Sequence, residues 1–233
     1  MRHVLRSPPR LPLVGASILA ADFLRLEADI RAALDAGADF IHYDVMDGHL
    51  VPNLALGTDV LKAVRRAFPD ECIDAHLMID NPGDFVGPFA DAGADHLTFH
   101  IEACEGAEDA RRIRDAIRAR GMTAGLAIDG GTPVSRAEAM LGEFDLVLVM
   151  SIHAGFSGQR FMPESLDKMR AVRARLVPGQ RLEVDGGVGP QTAPAAIEAG
   201  CDTLAAASAI FGAAAGEARA EVIRRIRGGS SPF

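Results

Sequence analysis

The chain has 233 residues, of which 48% are hydrophobic, and it carries a net charge of −8. This length and apolar content suffice for one domain with a large core. The negative charge and a pI near 5.3 disfavour nucleic acids and anionic membranes as partners. They leave room for an anionic small molecule, because backbone N–H groups at a helix start can hold a phosphate.

The first long apolar run, residues 11–21, follows three arginines, an arrangement that also occurs in signal peptides. Pro12 and Gly15 interrupt this run, so a first strand explains it better. We expect residues 1–10 to be a mobile extension, residues 11–228 to form one folded domain, and residues 229–233 to be a tail. No apolar segment reaches the roughly 18 residues that a membrane span requires.

The three cysteines are widely spaced and match no zinc-binding pattern: Cys72, Cys104 and Cys201. Their odd number and their spacing predict reduced thiols rather than a disulfide framework. We therefore expect a cytoplasmic protein.

From residue 13 onward, short apolar runs alternate with segments of helical periodicity. The apolar runs predict strands at residues 13–19, 40–44, 73–78, 96–100, 123–128, 146–151, 181–185 and 203–206. The intervening segments predict helices at residues 23–36, 58–66, 82–92, 109–120, 134–141, 163–176, 192–199 and from 208 to about 227.

Local signals mark the ends of several of these helices. Asp22 is a typical N-cap for the first helix, whose predicted apolar side carries Leu24, Leu26, Ile30 and Leu34. An Ala-Gly-x-Asp repeat occurs at residues 36–39, 92–95 and 199–202, each time between a predicted helix and the next strand. Its glycine is suited to the left-handed C-cap of a helix.

Eight strands that each precede a helix predict a single-domain α/β protein of the (β/α)₈ type, the TIM barrel. An open doubly wound sheet is the alternative architecture. It would require a Gly-x-Gly-x-x-Gly turn after the first strand, which residues 15–19 do not provide.

The second predicted strand carries the most unusual pattern in the chain. His42, Asp44 and Met46 alternate with apolar residues, so they share one face of the strand. Polar residues also lie at or just beyond the ends of the other strands: Ser17, His76, His100, Asp129, Ser151, Asp185 and Ser208. In a barrel these ends meet on one face, and that face carries the active site.

Four of these residues predict a metal site. His42 and His76 offer neutral nitrogens, and Asp44 and Asp185 offer anionic oxygens. This mixture of ligands suits Zn²⁺, Fe²⁺, Mn²⁺ or Co²⁺. A hydrogen-bonded His–Asp pair beneath a loop is the simpler alternative.

A phosphate site is predicted beside this group. Glycines follow the sixth strand at Gly155 and Gly158 and the seventh at Gly186 and Gly187, and Ser208 begins a helix after the eighth. Loops after strands six to eight with exposed N–H groups commonly hold phosphate in barrels. The alternative is that these glycines only shape tight turns.

Two enzyme classes lack their required residues. Lys62 and Lys168 are the only lysines and fall on predicted helices, whereas a Schiff-base aldolase needs a lysine at a strand end. A serine hydrolase of the nucleophile-elbow type is unsupported, because no Gly-x-Ser-x-Gly segment occurs.

With these residues in view, the chain resembles the ribulose-phosphate 3-epimerase family. The matching segments are residues 16–23, 41–53, 76–78, 149–151, 155–159, 184–188 and 208–211. The resemblance implies an isomerase of carbohydrate metabolism that inverts C3 of D-ribulose 5-phosphate in the pentose phosphate pathway. It also implies one divalent metal ion and a small ketose phosphate as the partner, and a homo-oligomer is a further possibility.

The resemblance also implies roles for individual residues. Asp44 and Asp185 would be the acid/base pair and, with His42 and His76, the metal ligands. Substrate contacts would come from Ser17, His76, Gly155, Phe156, Ser157, Gly158, Gly186, Gly187, Ala207 and Ser208. A polarisable lining around the reacting carbons would come from Met46, Met78 and Met150, which by composition alone read as core residues.

Some positions depart from the family pattern. His153-Ala154 and Asp129-Gly130 each replace the usual Asn-Pro, and Ser157 and Ala207 replace usual glycines. These departures concern the phosphate loop and the sugar preference, whereas the metal and acid/base positions are intact.

Three alternatives to this function remain open at the level of sequence. A sister epimerase would act on a six-carbon ketose phosphate such as allulose 6-phosphate. A related lyase or decarboxylase would carry Asp-x-Lys-x-x-Asp where this chain has His42, Asp44 and Asp47. A non-catalytic phosphate-binding barrel is the alternative from another class, and metal content would distinguish it.

Overall fold

The computed structural model describes residues 2–156 and 158–228. Eight parallel strands form a closed barrel, in which β1 pairs with both β2 and β8. In chain order they are β1 Leu13–Ser17, β2 Phe40–Asp47, β3 Ile73–Met78, β4 His96–His100, β5 Thr123–Ile128, β6 Leu146–Met150, β7 Arg181–Asp185 and β8 Thr203–Ala206. A two-residue strand, Leu54–Ala55, pairs antiparallel with the end of β2. The predicted (β/α)₈ barrel is confirmed.

The barrel is surrounded by helices that follow the strands. They are α1 Leu26–Asp35, α2 Thr58–Ala67, α3 Pro82–Ala92, α4 Ala107–Ala119, α5 Ser165–Arg173, α6 Ala193–Glu198, α7 Ser208–Phe211 and α8 Glu217–Ile226. Within the described residues, no helix is long and apolar enough to cross a membrane.

Three helices differ from the sequence-based expectation. The segment after β5 forms two 3₁₀ turns, Val134–Arg136 and Glu138–Glu143, instead of an α-helix. The predicted helix from residue 208 to 227 is divided into α7, which ends at Phe211, and α8, which follows Gly216 with its left-handed φ of 79°. Glycine interrupts a helix at low cost because it has no Cβ to restrict φ.

The first helix begins later than expected. Asp22 caps a separate 3₁₀ turn, Phe23–Arg25, and accepts a hydrogen bond from the Leu24 N–H at 3.0 Å. Leu24 is 96% exposed, so its assignment to the apolar side of the helix is wrong. An acceptor at the cap satisfies a turn as well as a helix, and the sequence signal does not distinguish them.

The three Ala-Gly-x-Asp repeats have a structural role at both their glycine and their aspartate. Gly37, Gly93 and Gly200 have φ values of 105°, 103° and 105°, as the C-cap requires. The aspartates accept backbone N–H groups at the starts of β1, β3 and β7, with Val14 N–H donating to Asp39, Ile73 N–H to Asp95 and Leu182 N–H to Asp202. The repeat therefore ends one helix and anchors a neighbouring strand.

The barrel interior is layered. Its amino-terminal end is closed by an apolar cluster that includes Leu13, Phe40 and Leu146. Val4 and Leu5 from the predicted extension are buried in the same cluster, at 3% and 5% exposure; whether that segment is mobile stays a prediction. Buried polar residues fill the middle layer: His42, Asp74, His96, Thr98 and Glu183. All three cysteines are buried and free.

Candidate active site

Side chains of β2 point alternately to the helices and into the barrel, and this places two of the predicted site residues inside. Ile41, Tyr43 and Val45 pack into the apolar layer between the strands and the helices. His42 and Asp44 therefore point into the barrel, as the sequence predicts, because successive side chains of a strand point to opposite faces. Both are buried, with exposures of 0% and 3%.

The barrel brings the four predicted metal ligands together. Strand register places His76 of β3 beside Asp44, and His76 Nδ1 lies 3.1 Å from Asp44 Oδ1. His42 Nε2 lies 3.2 Å from the same oxygen, and Asp185 Oδ2 lies 3.8 Å from His76 Nδ1 and 4.0 Å from His42 Nε2. One ligand atom from each residue lies within 4.8 Å of all the others.

The donor atoms of this group fit a divalent cation. His42 Nδ1 lies 2.9 Å from Asp74 Oδ2, so a His42 bound to a cation would keep its ring proton on Nδ1 and offer the Nε2 lone pair. Burial lowers the pKa of His42, but the charge of Asp44 and the contacts with Asp44, Asp74 and Glu183 raise it well above its usual value, so a cation would bind here in exchange for the Nε2 proton. Nε2 is buried and has no hydrogen-bond partner among the described residues. Two imidazole nitrogens and two carboxylates, largely buried and close together, form a typical donor set for a transition metal.

The electrostatics of the group also favour a cation. Burial by itself would raise the pKa of Asp44, but His42 and His76 hold it well below its usual range. Burial and the negative charge of Asp44 raise the pKa of Asp185 to about 7. Burial lowers the pKa of His76 to about 4, so its ring is neutral. A bound cation would relieve the repulsion between the two carboxylates.

An open cleft of about 470 Å³ lies above this group. Its lining includes both predicted acid/base residues and most of the predicted substrate-contacting and methionine positions: Ser17, Asp44, Met46, Met78, Met150, Gly155, Phe156, Gly158, Asp185, Gly186, Gly187, Ala207 and Ser208. Ser17 Oγ donates a hydrogen bond of 2.6 Å to Asp44 Oδ2. His42 and His76 lie beneath this lining and are fully buried. Direct contact of His76 with substrate stays a prediction.

The glycine pair after β7 is fixed by its surroundings. Gly186 has a φ of 110°, and a Cβ there would lie 2.4 Å from the Ile152 side chain. Gly187 has a φ of 62°, and a Cβ there would lie 2.6 Å from the Phe161 backbone nitrogen. These positions exclude larger residues on steric grounds as well as by conformation.

Backbone donors are available at the same end of the cleft. In the described parts of the chain, no hydrogen bond uses the amide N–H groups of Gly187, Ala207 or Ser208. The helix that begins at Ser208, α7, has only four residues. The capacity to bind an anion here therefore depends on individual N–H groups rather than on a long helix dipole.

Two side chains, those of Asn53 and Gln159, donate hydrogen bonds to backbone carbonyls of the loop after β6. Asn53 Nδ2 donates to the Gly155 carbonyl at 2.8 Å, which ties this loop to the loop after β2. Gln159 Nε2 donates to the carbonyls of His153 and Phe156 at 2.8 and 2.9 Å. Ser157, a predicted phosphate contact, lies outside the described residues.

Two of the departures from the family pattern contact each other. Asp129 Oδ1, at the end of β5, accepts the Ala154 N–H at 3.0 Å, and Asp129 Oδ2 accepts the Gly131 N–H at 3.0 Å. A proline at position 154 would have no N–H to donate. Lys168 reaches the same strand end, where its Nζ donates to the carbonyls of Asp129 and Gly130 at 2.6 and 2.8 Å. The Lys168 amine is therefore hydrogen-bonded to backbone carbonyls at the end of β5.

Sequence reasoning assigned no role to three carboxylates next to the site, although it placed Asp74 on the same strand face as His76. Asp74 and Glu183 are fully buried, and each lies two residues before a predicted ligand on its strand. Glu102 contacts His100 with its Oε2 at 3.0 Å. The two-residue spacing that identified the ligands also marks Asp74 and Glu183, because residues i and i+2 share a face.

Sequence comparison identifies the family of this fold and site. The profile of the Ribulose-phosphate 3 epimerase family matches residues 13–211. Ribulose-phosphate 3-epimerase of Mycobacterium tuberculosis is 46% identical over 223 residues, which cover 94% of this chain and 95% of that protein. The chain belongs to the ribulose-phosphate 3-epimerase family. The Escherichia coli K12 enzyme of the same name is 45% identical over 202 residues, covering 85% and 88% of the two chains. The predicted family and the isomerase class are confirmed.

Solved structures of other proteins share the fold. The 3-keto-L-gulonate-6-phosphate decarboxylase of Vibrio cholerae superposes with a TM-score of 0.70 at 16% identity, covering 94% of this chain and 97% of that chain. A 3-hexulose-6-phosphate synthase from Salmonella typhimurium gives a TM-score of 0.67 at 21% identity, with coverage of 93% and 97%. At these identities the likeness shows the barrel alone.

Proposed function

We propose that this epimerase interconverts D-ribulose 5-phosphate and D-xylulose 5-phosphate by inversion at C3. The observation that carries this proposal is the convergence of Asp44 and Asp185, from β2 and β7, on one group of ligand atoms within 4.8 Å at the floor of the cleft. Inversion requires removal of a proton from one face of C3 and delivery of a proton to the other. Two carboxylates from separate strands can serve the two faces.

His42, Asp44, His76 and Asp185 would hold one divalent cation of the Fe²⁺, Mn²⁺, Zn²⁺ or Co²⁺ class. Such a cation supplies Lewis-acid stabilisation of the negative charge that develops on the substrate oxygens beside C3. The fully buried His42 and His76 orient this arrangement from below.

For ribulose 5-phosphate, Asp44 accepts the C3 proton and Asp185 donates a proton to the opposite face. The intermediate is an enediolate, and the roles of the two aspartates reverse for xylulose 5-phosphate. Met46, Met78 and Met150 enclose the reacting carbons with apolar, polarisable side chains, which limits competing protonation by water. Ser17 holds Asp44 through its 2.6 Å hydrogen bond.

The substrate phosphate would occupy the end of the cleft formed by the loops after β6, β7 and β8. Support comes from the unused N–H groups of Gly187, Ala207 and Ser208 and from the steric requirement for glycine at position 187. These donors supply positive potential without a lysine or arginine side chain.

A coupled assay of the purified protein with ribulose 5-phosphate and with allulose 6-phosphate tests this function. The expected result is faster turnover of the five-carbon substrate and dependence on added Fe²⁺, Mn²⁺, Zn²⁺ or Co²⁺ after chelation. Preference for allulose 6-phosphate would assign the six-carbon reaction instead. Absence of turnover with either substrate at full metal occupancy would favour a non-catalytic barrel.

A further inference from the structure

His100 forms a polar connection that extends away from the candidate metal group. His76 Nε2 lies 2.8 Å from His100 Nε2, and the two rings are nearly coplanar, with an interplanar angle of 17°. Their centroids are 5.0 Å apart, a separation that the 2.8 Å contact and the two ring radii account for. The rings therefore meet edge to edge, in the geometry of an N–H···N hydrogen bond.

Glu102 contacts the opposite nitrogen of His100. Its Oε2 lies 3.0 Å from His100 Nδ1, and its Oε1 accepts the Asp129 N–H at 3.0 Å. Both carboxylate oxygens thus act as acceptors. His100 is buried, with an exposure of 1%.

The contact with Glu102 favours one placement of the ring protons. A neutral imidazole carries one N–H and one lone pair. Because Glu102 accepts the proton on His100 Nδ1, His100 Nε2 carries a lone pair and accepts from His76 Nε2–H. When a cation binds, His76 Nδ1 is then left with a lone pair. The same atom lies within hydrogen-bond distance of Asp44 Oδ1, at 3.1 Å, and 3.8 Å from Asp185 Oδ2.

We propose that Glu102, acting through His100, is a positioning residue that holds His76 in the Nε2–H tautomer and keeps Nδ1 free to bind the metal. This inference rests on the metal site of the proposed function. Asp74 contacts the ligand His42 directly, and Glu102 would act on the ligand His76 in the same way through His100. Such outer partners fix the tautomer and orientation of metal-binding histidines.

Glu102 and His100 also affect whether His76 Nδ1 carries a proton or is free to bind a cation. If His100 carried its proton on Nε2, it would donate to His76 Nε2, and the His76 proton would move to Nδ1. There it would bond to Asp44 and occupy the position of the cation. The carboxylate of Glu102 disfavours that arrangement, because it needs a proton on His100 Nδ1.

The test is the Zn²⁺ affinity of metal-free protein, measured by competition with a chromophoric chelator. Glu102→Gln keeps the size of the side chain, but an amide whose oxygen accepts the Asp129 N–H presents its NH₂ group to His100. We expect this variant to bind Zn²⁺ about 10- to 100-fold more weakly than the wild type. Glu138→Gln, at an exposed residue paired with Arg175, is the matched control and should keep wild-type affinity.

A double-variant comparison separates positioning from simple destabilisation. In His100→Gln the side-chain oxygen can accept from His76 Nε2–H without help from Glu102. Adding Glu102→Gln to this variant should therefore change Zn²⁺ affinity by less than about threefold. An additive loss in the double variant would overturn the relay through His100.

Histidine ¹⁵N NMR of the Zn²⁺-loaded wild type reads the tautomer directly. The expected spectrum shows His100 protonated at Nδ1 and unprotonated at Nε2. A protonated His100 Nε2, or wild-type affinity in Glu102→Gln, would overturn the proposal. His42→Ala identifies which idea has failed: if it also binds Zn²⁺ like the wild type, the metal site itself is wrong, and if it loses Zn²⁺, only the relay is wrong.

Discussion

Asp44 and Asp185 differ in their surroundings although both border the same cleft. Asp44 contacts two imidazoles and the Ser17 hydroxyl, whereas Asp185 stands at the end of β7 beside Gly186. The proposed mechanism requires each aspartate to handle the proton on one face of C3. Variants that lack one titratable group therefore separate the two half-reactions.

Asp44→Asn and Asp185→Asn should each reduce epimerisation by at least about 10³-fold, because an amide cannot carry the proton. Asp185→Asn should still exchange the C3 hydrogen of ribulose 5-phosphate with deuterium from solvent, through Asp44. Asp44→Asn should do the same with xylulose 5-phosphate. Mass spectrometry of recovered substrate measures the exchange. Metal occupancy is determined on the same samples, and wild-type epimerisation by metal-loaded Asp185→Asn would contradict the two-acid mechanism.

Substitutions at Ala207 test the proposed phosphate end of the cleft. Its backbone N–H is unused by the described residues, and its φ of −104° does not demand glycine. Ala207→Gly keeps this amide and should lower KM or leave it unchanged. Ala207→Val also keeps the amide but adds two methyl groups to the lining, so KM should rise several-fold with a smaller change in kcat. A large rise in KM for Ala207→Gly would show that the alanine belongs to a differently shaped site.

Among the structural elements, the turn after β5 and the loop after β6 are joined by Asp129. This side chain accepts N–H groups from both Gly131 and Ala154. Each such hydrogen bond contributes about 1 kcal/mol. The order of the loop that is proposed to hold the phosphate therefore depends on a side chain from another strand.

Asp129→Ala should raise KM for ribulose 5-phosphate by about fivefold or more, because it removes the hydrogen bond that ties this loop to the turn after β5, and also the one that holds that turn. The change in kcat should be smaller, since the acid/base pair is untouched. Asp167→Ala, at an exposed residue of α5, serves as the control in the same steady-state assay. An unchanged KM in Asp129→Ala would show that the loop is ordered by its other contacts.

The segment before β1 closes the end of the barrel opposite the cleft. Leu5 is 5% exposed and packs in the same cluster as Leu13, Phe40 and Cys72. Leu5→Ala should lower the free energy of unfolding by about 2 kcal/mol, the lower end for buried leucine. Leu24→Ala, at a leucine that is 96% exposed, should change it by less than about 0.5 kcal/mol. Chemical denaturation measures both, and equal small effects would indicate that residues 2–8 do not contribute to the fold.

For the whole molecule, a cation held by the candidate metal ligands would make stability depend on metal binding. His42, Asp44, His76 and Asp185 are contributed by β2, β3 and β7, so one ion would tie together strands that are distant in sequence. A ligand that binds only the folded state stabilises it by about 2.7 kcal/mol at 100 times its Kd.

Zn²⁺ at that concentration should raise Tm by about 5 to 10 °C, because 1 kcal/mol corresponds to about 2 to 4 °C at this chain length. Calorimetry of the metal-free protein with and without Zn²⁺ provides the measurement. His42→Ala should show little or no shift. An equal shift in wild type and variant would place the stabilising ion elsewhere on the molecule.

Local patterns in the sequence predicted the eight barrel strands and the four candidate metal ligands that face the barrel interior. Alternation along a strand is a local property, so His42 and Asp44 could be assigned to one face, and the cap glycines Gly37 and Gly93 could be placed, before any fold was known. The family followed from the same residues. Helix boundaries were less predictable, as Leu24 shows, because the cap signal of Asp22 fits a 3₁₀ turn as well as an α-helix.

The partners of the site residues could be identified only from the three-dimensional arrangement of the strands. Asp74 is 32 residues from His42, and Ala154 is 25 residues from Asp129, yet each pair is in hydrogen-bond contact. The contact between His76 and His100 likewise depends on the pairing and tilt of β3 and β4. Such contacts arise because barrel closure converges the carboxyl ends of separate strands, and no local pattern in the sequence contains that geometry.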